Sequence, residues 1–132
     1  MANALYPKAK QAFLGADIDL EVDNIVAVLI DTAAYTYNTA HEFLSEIPVG
    51  DRIATSSNLA SKTITNGIFD SADIVYTAVT GDPSEAIVLV QDTGSAATSR
   101  LIAYIDTATG LPVTPDGTNI NVNVNASGWF TL

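Results

Sequence analysis

Residues 17–23 read DIDLEVD, with acids at every second position: Asp17, Asp19, Glu21 and Asp23. Carboxylates so spaced could ligate a hard cation, offer a contact to a basic partner, or line one side of a strand. A calcium EF-hand loop also opens with acids at positions one, three and five, but it needs Gly at six and a bidentate Glu at twelve. Counted from Asp17, those places hold Val22 and Val28, so the calcium-loop pattern fails. Ile18, Leu20 and Val22 alternate with the acids, and period two is the signature of a strand with one buried face. The segment is therefore expected to begin a sheet, its acids facing water or a partner.

Other chemistry is short of residues. His41 is the single histidine, and the chain has no cysteine. A zinc-protease helix needs a second histidine four positions on, where Ser45 stands. A Ser-His-Asp triad could draw only on His41, and no G-x-S-x-G elbow is present; DTGSAAT lacks the second glycine. In TGDPSEA the lone Gly81 is followed by Asp82, which would repel a phosphate. Paired carboxylates remain, since fifteen acids always permit some pair, but none stands in an apolar setting that would raise its pKa. No catalytic residue, metal site or cofactor is expected.

Two weaker constellations suit a binding module. Asp31, Asp92 and Asp106 each close an apolar run and precede a threonine. Gathered at one end of a sandwich they could hold calcium, although Asp in such a place more often starts a turn by bonding its own backbone. Tyr35 and Tyr37 share one side of an extended segment and could stack on a sugar ring or pack into a core, the core being the commoner use. Asn125-Ala126-Ser127 matches the glycosylation sequon, which carries little meaning without an export signal.

The elements that must position these residues read mainly as strands. The 132 residues suit one domain spanning 1–132, large enough to bury roughly two-thirds of the surface of its unfolded chain. ALYPKAKQAFL has near-helical apolar spacing, with Pro7 suited to a first turn and Gly15 to a stop. Residues 1–15 are expected to form a short helix or a docking arm. NIVAVLID is a continuous β-branched run and so a central strand. Residues 39–45 have helical character that ends before Pro48. RIATSSNL, KTITNGIFD, DIVYTAV, EAIVLVQD, RLIAYID, NINVNVN and GWFTL are further strands. Asn66-Gly67 marks a hairpin. About eight or nine short strands without long helices between them predict a mostly β fold. The expected form is an antiparallel sandwich, jelly-roll or immunoglobulin-like, or a closed barrel, with a short N-terminal helix or arm.

Charge is the strongest compositional fact. Fifteen acids against five bases give a net charge of −10. Such a surface repels phosphate backbones and anionic lipid, so neither nucleic acid nor membrane is an expected partner. It would steer the protein toward a basic surface. MANALYPKAKQAF lacks the long apolar core of a signal peptide, so export by the general secretory route is not expected.

ALYPKAKQAFLGADIDL and TSRLIAYIDTATGLPVTPDGTNINV, together with NIVAVLIDTAAYTY and HEFLS, resemble a family of small virion proteins of tailed bacteriophages. The resemblance runs over nearly the full length. It implies a β-sandwich without catalysis that binds the outside of the capsid as cement or decoration. The implied partners are the major capsid protein and further copies of the chain itself. The implied location is the capsid exterior, with host cytoplasm during assembly; a tail or adhesion module is the alternative. Beside that likeness, the amphipathic N-terminal segment offers Leu5, Tyr6, Lys8, Lys10 and Phe13 as contact residues. Asp17, Asp19, Glu21 and Asp23 are the acids that could meet a basic capsid patch.

Overall fold

The computed structural model describes residues 3–132. The fold is mostly β, sandwich-like and antiparallel, with one short helix near the N-terminus. A short strand β1 (Ala4–Leu5) leads into α1 (Pro7–Leu14). Pro7 opens the helix, where its fixed φ fits and its missing N–H is no loss. The stop is a Schellman motif. Ala16 takes φ 62, its N–H bonds Phe13 O at 3.2 Å, and the Asp17 N–H reaches Ala12 O at 2.8 Å. Gly15 ends the helix as expected, but the left-handed residue is Ala16.

The main sheet runs β1, β8 (Arg100–Ile105), β7 (Ala86–Gln91), β2 (Ile25–Ile30) and β3 (Arg52–Thr55). In antiparallel pairs directly opposed residues share a face. Val28, Val88 and Tyr104 therefore lie on one side, and Ala27, Leu89 and Ala103 on the other. Both sets are buried, so this sheet is covered on both faces. That is why NIVAVLI and AIVLV are unbroken apolar runs rather than alternating ones. The helix packs on β8 through the small buried Ala9 and Ala12, which allow close approach.

Two smaller sheets complete the domain. β4 (Thr63–Thr65) and β5 (Ile68–Asp70) form the expected hairpin, with Asn66 and Gly67 both at positive φ as a type I′ turn requires. β10 (Phe130–Thr131) joins β5, and β6 (Ile74–Tyr76) pairs with β9 (Ile120–Val122). Tyr76 ties its sheet to the main one by donating to Ala27 O at 2.8 Å.

Two local expectations are corrected. Residues 39–45 do not form the expected single helix: Thr39 and Ala40 lie in a turn, and only Leu44 and Ser45 are helical, in a short 3-10 turn. Phe43 makes a bridge with Arg100, and Leu101 N–H bonds Glu42 O, so the chain at Glu42 and Phe43 runs beside the start of β8. In the 3-10 turn at Leu44–Glu46 the Glu46 carboxylate accepts from the Glu42 and Phe43 N–H groups just ahead of the turn, while the Leu44 and Ser45 N–H groups bond Ser99 O and Ala96 O. Burial alone would raise the Glu46 pKa, but the Glu42 and Phe43 N–H groups and nearby His41 outweigh it and hold it below the usual range. The second correction is DIDLEVD, which is a turn and not a strand.

Candidate functional site

The acidic turn is built from its own side chains. Asp19 Oδ1 accepts from the N–H groups of Glu21 and Val22 at 3.1 and 3.3 Å. Asp23 Oδ2 accepts from Asp19 N–H at 2.9 Å, while Asp23 N–H returns to Asp19 O at 2.9 Å. Side chains that satisfy nearby backbone in this way compete with a strand ladder, and here they win. Gln91, at the end of β7, anchors the turn by donating through Nε2 to Asp23 Oδ2 at 2.6 Å and Asp17 O at 2.9 Å. Lys62 Nζ adds a bond to Asp23 O at 2.6 Å. The period-two pattern still places Ile18 and Leu20 in the core, but Val22 is 79% exposed.

Four expected contact acids thus divide into two kinds. Asp19 and Asp23 hold the turn together. No described residue bonds the carboxylate of Asp17 or Glu21, and both residues are exposed.

Beside this turn lies an open groove of about 350 Å³. Phe13, Ile18 and Leu20 from the helix and turn, and Ile64, Phe69 and Phe130 from the small sheet, line it together with Leu132 and Asp19. Its floor is held by aromatic contacts: Phe130 has its ring centroid 6.3 Å from that of Phe13 and 5.7 Å from that of Phe69. Ile64 and Leu132 are 44% and 64% exposed, and Leu14 at the helix end is 91% exposed. Sequence reading missed Ile64 and Leu132. Thr63-Ile64-Thr65 looks like a strand with its isoleucine turned to a core, but all three residues of β4 are exposed and Ile64 faces the open groove.

The N-terminal contact residues are split by the fold. Lys8 and Lys10 are exposed, and Leu5 and Phe13 are half-buried. Tyr6 is fully buried, which removes it from any outward contact. Its Oη is 2.8 Å from Tyr35 Oη, which is 2.9 Å from His41 Nδ1. Burial pushes the Tyr6 ionisation far above the ordinary tyrosine range, and the bond to Tyr35 adds to the rise. Tyr37 donates to Leu5 O at 2.9 Å and stacks between Tyr6 and Tyr104, with centroids 4.8 and 5.8 Å away. Tyr35 is therefore part of the core, and the half-buried Tyr37 packs against it, so the two do not form an exposed pair for a sugar ring.

Asp31, Asp92 and Asp106 are not brought together. β2 and β7 run antiparallel with Ile30 opposite Ala86 and Ile25 opposite Gln91, so Asp31 and Asp92 leave opposite ends of the sheet. Each starts a turn: Asp31 Oδ1 accepts from Ala33 N–H and Asp92 Oδ1 from Gly94 N–H, both at 2.9 Å. Among the described residues no group of three or more His, Cys, Asp or Glu could hold a metal ion.

Fold and site together define an antiparallel β domain whose open, chemically distinctive surface is an apolar groove beside unpaired carboxylates. No protein-family model matches the chain, and a search of curated proteins finds no relative.

Proposed function

We propose that this chain is a non-enzymatic structural protein of a tailed-bacteriophage virion, binding the outside of the capsid as cement or decoration with the major capsid protein as its partner. The observation that carries the reading is the groove between α1 and the β4–β5–β10 sheet. It is apolar and open, and its lining residues Ile18 and Leu20 alternate in sequence with the unpaired Asp17 and Glu21, in a chain of net charge −10. Such a surface suits attachment to a protein bearing basic residues. The family likeness in the N-terminal and C-terminal segments points the same way. A lattice-bound protein also gains from repetition, because many weak contacts act together once neighbours are in place.

The rival adhesion reading loses its aromatic platform, since Tyr35 is buried and the Tyr37 hydroxyl is bonded to Leu5. Quantitative mass spectrometry of purified virions, counting this chain against the major capsid protein, tests the proposal. A ratio near one, or a simple fraction of it, supports a protein bound over the whole shell. A handful of copies moves it to the tail or a vertex, and absence from virions overturns the structural role.

A further inference from the structure

The helix beside the groove is charged against its own dipole. A helix favours anions at its N-terminus and cations at its C-terminus. In α1 the lysines, Lys8 and Lys10, sit in the opening turns, with no base in the last turn and no acid in the first. The acids come just past the C-terminal end. A Cβ placed on Gly15 would be 3.3 Å from Asp17 Oδ2, so that carboxylate lies against the end of the helix with its negative pole. Gln91 and Lys62 answer Asp23, whereas no described base meets Asp17 or Glu21. The groove is lined mainly by apolar side chains, among them Phe13, Ile18, Ile64, Phe69 and Phe130. At the far side β4 is an edge strand, hydrogen-bonded to β5 alone.

We infer that this groove is a docking slot for a short extended segment of a partner protein, one that alternates apolar side chains with Lys or Arg. Its apolar side chains fill the space over Phe69 and Phe130. Its cations approach Asp17 and Glu21, where the helix end and the acids combine to attract positive charge. Charge complementarity selects this occupant over a second copy of the chain, which would bring its own net charge of −10 to the same place. The inference deepens the capsid-docking proposal and rests on it only for the identity of the segment's owner.

The test is a titration of the isotope-labelled full chain with the synthetic peptide Lys-Leu-Lys-Val-Lys-Leu-Lys, followed by amide chemical shifts. The controls are the same peptide with Glu for Lys and with Ser for the apolar residues. Shifts confined to residues 13–23, 63–69 and 130–132 are expected, with no response to either control. The variant D17N/E21Q removes carboxylates that bond no described residue, and I64D places a charge at a side chain already 44% exposed. Each is expected to retain the far-UV spectrum and to bind roughly tenfold more weakly. Shifts spread over remote acids such as Asp51, Asp82 and Asp116, with I64D unaffected, would mean charge attraction alone and would overturn the slot. Self-association abolished by I64D, without peptide binding, would make a second copy the occupant and also overturn it. Virion counts and the peptide titration can fail separately, so loss of one proposal is distinguishable from loss of the other.

Discussion

The hydroxyl of Tyr6 lies 2.8 Å from that of Tyr35, both rings buried, and only Tyr35 goes on to meet His41. This contact fastens the chain just ahead of α1 to a loop 29 residues away in sequence. The N-terminal segment is thereby part of the domain, with Tyr6 closed to outward contact and Lys8 and Lys10 left exposed.

The two hydroxyls are not equivalent. Tyr35→Phe leaves the buried Tyr6 hydroxyl without its one described partner, which costs about 1–3 kcal/mol. Tyr6→Phe leaves Tyr35 still bonded to His41 and costs about 1 kcal/mol or less. Urea unfolding midpoints at constant slope measure both. An equal or larger loss for Tyr6→Phe would contradict this order.

The chain has five tyrosines, and all five are pushed above the ordinary value, first of all by burial. A raised folded-state value means that the folded chain keeps its phenolic protons longer than the unfolded chain. Stability from this source is fully present below about pH 10, the unfolded value, and falls as pH rises beyond it. Tyrosinate absorbance is expected to appear together with loss of near-UV circular dichroism, in one cooperative step. Tyrosines that titrate reversibly at about pH 10 with the fold intact would refute this.

Backbone strain gives a pair of opposite outcomes. Ala16 holds φ 62 at the helix stop, where glycine carries no Cβ penalty. Ala16→Gly is expected to raise stability by about 0.5–1 kcal/mol. Gly128 has φ +87, and a Cβ there would sit 2.7 Å from Ile68 Cγ2 and 2.8 Å from Phe69 O. Gly128→Ala is expected to lower stability by about 1–3 kcal/mol and to loosen the groove floor at Phe69. Thermal unfolding of both variants checks the signs; a stable Gly128→Ala protein would mean that the loop before β10 shifts freely.

What the sequence determined by itself is local. Asn66-Gly67 specifies a type I′ turn because both residues tolerate positive φ, and the hairpin follows. NIVAVLI and AIVLV specify doubly buried strands because apolar side chains occupy both sides of the pleat. Asp31 and Asp92 act as turn starters through bonds to the backbone two residues on. Only the tertiary structure decided the rest. DIDLEVD has a strand's alternation, yet it turns, because Gln91, 68 residues from Asp23, and the bonds between Asp19 and Asp23 satisfy groups that a ladder would otherwise need. Tyr35 and Tyr37 could have faced a ligand or the core, and it was contact with Tyr6 and Tyr104 that buried Tyr35 and packed the half-buried Tyr37 against the core. The groove joins the helix, the acidic turn, the hairpin and the final strand. Its exposure depends on which faces these assembled elements leave uncovered, a property that no short window of residues contains.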